Sequence, residues 1–299
     1  LIFDLEFVLS ALRIATPLMI VALGVLIAER AGVLFLGAEG VMLCGALFGI
    51  LGAVYVGDPW MGVVWGLSAG VVMGLVTAVL TVWLPTDQVV MGLAMNIAAI
   101  GLTSFIFRIA ADDLQQMSPP MGWSAPGALS ENPIAAFLFA VPPLAWLAVI
   151  LYFVVWYMLF RSAPGLLLRS VGQNVKAARS AGINVVLVRT VALALAGGLA
   201  GLGGAALTVG WVRSFADDIT AGRGFIALAA VYFGRWYPRW TLFGCLLFGL
   251  GEALALRTQV LGGNAHFYLM IPYLLTVGVL AFAECGRAPR EVGKPYEQL

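Results

Sequence analysis

A single histidine, His266, and three cysteines in 299 residues leave little from which to build a transition-metal or thiol redox centre. Cys44 and Cys245 sit inside apolar stretches and Cys285 lies just beyond one, with no metal-ligand or disulfide-framework spacing between them. The only lysines are Lys176 and Lys294, and neither closes a G-x-x-x-x-G-K-[ST] loop, so this chain does not hydrolyse ATP by that device. A formal net charge of +1 without basic clustering excludes nucleic acid as the natural partner. No His/Asp/Glu constellation suggests bond chemistry. Charge itself is scarce: 10% of residues carry one, against ~25% in soluble domains.

What fills the sequence is apolar. Hydrophobic residues make up 62% of it, and the mean hydropathy is +1.00. Continuous runs such as 61–84, 134–160 and 191–212 each reach the ~20 residues that cross a bilayer. The expected fold is an all-α polytopic membrane protein, a single transmembrane unit over residues 1–299. It has about nine spanning or partly spanning segments, some broken or re-entrant, near 8–28, 33–56, 60–83, 88–109, 134–160, 190–212, 222–234, 240–258 and 268–284. The first segment lacks the three-part pattern of a cleaved leader and is expected to be retained.

The loops between these segments sort by charge. Arg30, Arg161, Arg169, Lys176, Arg179, Arg189, Arg235, Arg239, Arg287, Arg290 and Lys294 fall on one side of the membrane. Asp4, Glu6, Asp58, Asp112, Asp113, Glu131, Asp217 and Asp218 fall on the other. The positive-inside rule makes the first side cytoplasmic, with the N-terminus outside and the 285–299 tail inside. A long polar, proline-rich loop, 110–133, then lies outside, and a basic loop, 161–189, lies inside.

Within the inner loop, Asn174 is a good N-cap. Two helical turns can follow it until Gly182, which can adopt the left-handed conformation that stops a helix. Ala177, Ala178 and Ala181 would give this short helix a smooth face, with Lys176 and Arg179 on the other. Such a knob fits a cleft in a cytoplasmic partner; a helix lying on anionic head groups fits the residues equally well. The segment 222–234 is short: its apolar run from Phe225 to Phe233 covers about half a bilayer as a helix. A broken segment at that depth must be buried in protein or line a cavity, so this stretch is a candidate pathway wall, alongside a tilted helix with polar ends.

Three polar side chains fall inside apolar segments. Glu39 lies nine residues beyond Arg30, roughly 13 Å by helical rise, or about mid-membrane. A carboxylate there faces protein or water, not lipid, and the flanking Gly37 and Gly40 permit a local break. Asn96 has the donors and acceptors to meet either a substrate or a neighbouring helix. Glu252 reads as a brace, and Arg257, five residues on, is a poor helical partner for it. Gly197, Gly201 and Ala205 recur every four residues, a spacing that lets helices touch backbones.

The pattern G-x-N-x-x-A-A-x-x-A-G-I at 172–183 resembles the coupling segment of ATP-binding-cassette importer permeases, within the branched-chain amino acid and ribose permease superfamily. "ERAGVLFLGAEGVMLCGA", "DQVVMGLAMNIAAIGLTSFIFR" and "GRGFIALAAVYFGRWYP" resemble its nucleoside and simple-sugar branch, with landmarks in the expected order from Arg13 to Phe282. One departure is Phe35, where related permeases commonly have Asn. The resemblance implies a non-catalytic permease that moves a nucleoside, or alternatively a ribose-like sugar, across a bacterial inner membrane. The implied partners are a second permease, two cytoplasmic ATPases that bind ATP and Mg, and an extracytoplasmic binding protein, for which Trp123 is a candidate contact. Asn174, Lys176, Ala177, Ala178, Arg179 and Gly182 would then couple to the ATPase. Phe35, Glu39, Asn96, Phe225 and Glu252 would flank the pathway, with Glu39 preferred as a brace at a bend. No cofactor or metal is expected in this chain. An ion-coupled transporter with Glu39 or Glu252 as proton carrier is the competing class.

Overall fold

The computed structural model describes residues 4–84, 86–116, 141–260, 274, 278 and 288–294, and among them there are helices and no strand. The order is α1 (Leu5–Arg30), α2 (Ala38–Val56), α3 (Pro59–Ala78), α4 (Gln88–Gln116), α5 (Pro143–Arg161), α6 (Ala163–Gln173), α7 (Val175–Ser180), α8 (Val185–Leu207), α9 (Arg223–Phe233) and α10 (Pro238–Val260). π-helical turns extend α3 over Val79–Trp83 and α8 over Thr208–Val212. Seven of the described helices are long and apolar enough to cross a membrane, and α9 is a shorter apolar helix. The chain is a polytopic all-α membrane protein. Most of the expected segment 268–284 and most of the outer loop, Trp123 included, lie outside the described residues.

Helices α1 and α2 are the most buried spans, and α3, α4 and α5 expose most of their surface. Around this centre α8 packs on α1, α2 and α3, α10 on α1, and α4 on α2. The tight triangle of α2, α3 and α8 is built on small residues. A Cβ on Gly45 would stand 2.3 Å from Gly201 Cα, one on Gly70 2.2 Å from the Gly197 carbonyl, and one on Gly66 2.6 Å from Ala205 Cβ. Gly197, Gly201 and Ala205 therefore meet Gly66, Gly70 and Gly74 of a glycine stripe on α3, while Gly62 of the same stripe packs on Gly49 of α2. Thr208 adds an interhelical bond, its Oγ1 donating to the Ala46 carbonyl (2.8 Å).

Helix starts follow local chemistry. Asp87 Oδ1 accepts from the Val89 and Val90 amides at the start of α4 (2.8 and 3.1 Å), and Asp58 and Asn184 cap α3 and α8 in the same manner. Segment boundaries differ from expectation at several places, and α4 runs on to Gln116, seven residues past the expected 109. The second segment does not begin helically at 33: the Val33 and Gly32 amides close back on Ala28 and Glu29, Gly32 is left-handed (φ 81°), and helix resumes only at Ala38. In the fifth, helix Pro143–Arg161 starts behind Pro142 as its cap, and the expected start at 134 lies outside the described residues. The sixth begins five residues before 190, so Arg189 is no loop residue; it is buried in α8, and its Nε donates to the Ala31 carbonyl (3.3 Å).

Candidate functional site

The break between α1 and α2 sets up the site. Residues 31–37 leave the α-helical path, so the amides that open α2 have no partners one turn back. Asn96 on α4 supplies one for the Gly40 amide. Its Oδ1 accepts from the Gly40 amide (2.9 Å) and its Nδ2 donates to the Leu36 carbonyl (3.0 Å), which fixes the amide's orientation and stitches the break shut. Gln88, one residue into α4, accepts from the Leu34 amide (2.8 Å). Phe35, between these two tethers, is fully buried.

Glu39 occupies the first turn of α2 and points at the first turn of α9. Its Oε1 accepts from the Gly222 amide (2.9 Å) and its Oε2 from the Gly224 amide (2.6 Å). Gly224 approaches so closely that a Cβ there would sit 2.6 Å from Glu39 Cα. The carboxylate thus takes orphan donors of a foreign helix and sits at the positive end of two helix dipoles. Gly222 is left-handed (φ 82°), and so are Asp218 (φ 56°) and Ala221 (φ 43°) before it. Positive φ at non-glycine residues costs of order 1–3 kcal/mol each and persists where the surroundings over-determine it.

Between the two amides that Glu39 holds lies Arg223, which pairs with Glu252 of α10. Its other end nitrogen donates to the Ile219 carbonyl (3.1 Å), and the guanidinium lies over Trp211, 5.6 Å from the ring centroid. Glu39 and Glu252 therefore converge on one turn, the first through its backbone and the second through its side chain. Arg257 is engaged elsewhere, with Asp4 (2.9 Å). Phe225, two residues into this turn's helix, is exposed.

The far end of α9 is held by α1. Trp236 Nε1 donates to Glu29 Oε2 (2.5 Å), while Arg30 Nε and Nη2 donate to the Trp236 carbonyl (3.0 and 2.5 Å). Arg30 also lies over the rings of Phe160 (5.7 Å) and Tyr237 (5.3 Å), which stack on each other. Arg235 and Trp236 are left-handed as well (φ 51° and 58°). An eleven-residue helix, ~16 Å long, is thus fixed at both ends to the same break, at Glu29–Arg30 and at Glu39.

The second feature is the α6–α7 end of the molecule. Asn174 Oδ1 accepts from the Ala177 amide (3.0 Å) at the start of α7, and Gly182 (φ 79°) closes it, with the Ile183 amide returning to Ala178 (3.1 Å). Lys176, Ala177, Arg179, Ala181 and Gly182 are exposed. Ala178 is not on that outward face: it is buried against Val171 and Val185, because a helix of six residues needs one side for anchorage.

Sequence reasoning missed Arg223, Glu29, Trp236 and Gln88. Arg223 and Glu29 were visible as charges beside apolar runs, but nothing in the chain indicated their distant partners. The glycine stripe at 62, 66, 70 and 74 was legible at four-residue spacing and was overlooked.

Residues 7–280 match the family described as branched-chain amino acid transport system / permease component. The chain belongs to this family. Among its relatives is the guanosine ABC transporter permease protein NupQ of Bacillus subtilis, 34% identical over 96% of this chain and 95% of that protein. The nucleoside ABC transporter permease protein NupC of Lactococcus lactis is 34% identical over 97% and 96%. A candidate glucose ABC transporter permease of Haloferax volcanii, TsgC13, is 34% identical over 92% and 90%. The same two bacteria each contribute a second, more distant permease, at 26% and 24% identity.

Proposed function

We propose that this chain is one of two permease halves of an ATP-driven importer in a bacterial plasma membrane, carrying a nucleoside inward. The observation that carries this reading is end-to-end similarity to guanosine and nucleoside permeases at 34% identity. Pairs of permeases from single bacteria support a partner of similar fold. A sugar is the second reading, supported by equal identity to the glucose relative.

The chain performs no hydrolysis in this scheme. Cytoplasmic ATPases bind ATP and Mg and pull on the knob formed by α7; an extracytoplasmic protein delivers the substrate. Differential affinity of the ATPases for the two conformations supplies the work. The rigid knob supports this assignment, because a dock must keep its shape under load. Glu39 and Asn96 serve the pathway by holding the break and the α9 terminus in register, and Phe225 and the Arg223–Glu252 pair lie at its edge.

The test is affinity purification of the tagged chain from gently solubilised native membrane, with mass spectrometry of what accompanies it. An ATPase and a second permease are expected, and the ATPase is lost from Gly182→Arg, which distorts the end of α7. Recovery of the chain alone, under conditions that keep a known importer intact, overturns the proposal. ATP-dependent uptake of labelled guanosine and of glucose into vesicles then separates the two substrates.

A further inference from the structure

Residues 288–294 return to the α6–α7 end and tie two of its parts together. The Glu291 amide donates to the Gly172 carbonyl (3.1 Å), two residues before the cap of α7. Lys294 offers its carbonyl to Gln88 Nε2 (2.8 Å). The other end of that same amide, Gln88 Oε1, holds the Leu34 amide of the α1–α2 break (2.8 Å). Gln88 is 1% exposed, so its own amide has little access to water while these partners are in place.

A second contact joins the same three segments. A Cβ on Gly32 would lie 3.0 Å from Glu291 Cβ and 3.1 Å from Gly172 Cα, and one on Gly172 only 2.2 Å from the Arg30 carbonyl. Break, α6 and tail therefore touch at backbone distance. Beside them an open groove of about 840 Å³ runs between Gln173 and Asn174 on one wall and Ala288 and Arg290 on the other.

We infer that residues 288–294 form a strap, and that Gln88 is the positioning residue that makes the strap move the α1–α2 break when α7 moves. Packed backbone is not compressible on this scale. A displacement of α7 that carries Gly172 carries Glu291 with it. Lys294 follows through one turn of chain, and Gln88 hands the motion to Leu34, five residues from Glu39. Gln88 reaches no substrate in this role. The inference rests on the reading of this chain as an ATP-driven permease.

The test uses the whole importer in proteoliposomes. Gln88→Glu, assayed well above neutral pH so that the buried carboxyl is ionised, keeps the acceptor for Leu34 but cannot donate to Lys294, so it cuts the strap and spares the break; Gln88→Ala removes both bonds. Uptake per ATP hydrolysed is expected to fall about tenfold in Gln88→Glu, with ATP hydrolysis within about twofold of the parent and the half-saturating substrate concentration unchanged. Deleting 288–299 gives the same loss, and combining it with Gln88→Glu adds nothing. Unchanged uptake per ATP in Gln88→Glu, or losses that multiply in the combined variant, overturns the inference. Hydrogen exchange at the Glu291 amide tests the strap whatever drives transport: protection in the parent that drops in Gln88→Glu is expected, and no difference overturns it. Failure of the underlying reading looks different, as a parent whose uptake ignores ATP while Glu291 remains protected.

Discussion

At the scale of single residues, the two polar side chains that hold the start of α2, Glu39 and Asn96, act on backbone. Glu39 spends both oxygens on amides of α9, and Asn96 spends its whole amide on the break. Glu39→Ala leaves two shielded N–H groups unpaired, at about 1–3 kcal/mol each. A lower melting temperature of the purified protein is expected, with Glu39→Gln intermediate because one acceptor oxygen survives. Arg223 and Glu252 are coupled directly, with side chains 15% and 18% exposed. A double-mutant cycle with Arg223→Met and Glu252→Leu should return a coupling of about 0.5–3 kcal/mol, and each single variant should be less stable than additivity from the double predicts. Additive effects would show that the pair is a bystander. None of these partnerships was legible beforehand. Glu39 stood out as a charge in an apolar run, but the residue that answers it lies 183 positions away, and one sequence holds no record of such distances.

At the scale of elements, local chemistry was readable and tertiary breaks were not. The helix between Asn174 and Gly182 was legible to within one residue, because a cap and a left-handed stop are short-range signals. The start of α2 was misplaced by five residues because Val33, Leu34, Phe35 and Leu36 are apolar, and hydropathy does not separate extended chain from helix. Asn174→Ala should loosen α7 by about 1 kcal/mol, seen as faster amide exchange at Ala177 than at Leu187. The α2–α3–α8 triangle gives a sharper contrast. Gly70→Val must push α3 away from the Gly197 carbonyl, costing about 1–3 kcal/mol or more and reducing the yield of folded protein. Gly101→Ala on α4 meets nothing within 4 Å, and removing a mid-helix glycine there should be neutral or raise stability by about 0.5–1 kcal/mol. Equal effects at the two glycines would argue against close packing.

At the scale of the whole molecule, seven long described spans, one short helix and an uneven distribution of charge define the topology. Cys44 and Cys245 are buried, and with Cys285, which lies outside the described residues, replaced by serine the background for thiol labelling should be low. Lys176→Cys should react with an impermeant reagent only from the cytoplasmic face, and Val56→Cys, at the opposite end, only from outside. The reverse pattern would invert the orientation given by the positive-inside rule. The composition made membrane residence plain, because 62% hydrophobic residues with 10% charge leave no soluble alternative. Substrate preference is not written at this scale, since nucleoside and glucose relatives stand at the same 34% identity.

The short helix α9 also bears on how the protein is made. Eleven residues cannot cross a bilayer, so the insertion machinery cannot release α9 into lipid as a finished span. Much of what anchors it, Glu29 and Arg30 at one end and Glu39 at the other, is synthesised about two hundred residues earlier, and only Glu252 of α10 follows it. The first two spans therefore serve as the mould into which a later, unfinished segment is set, and the order of the chain is also the order of its assembly.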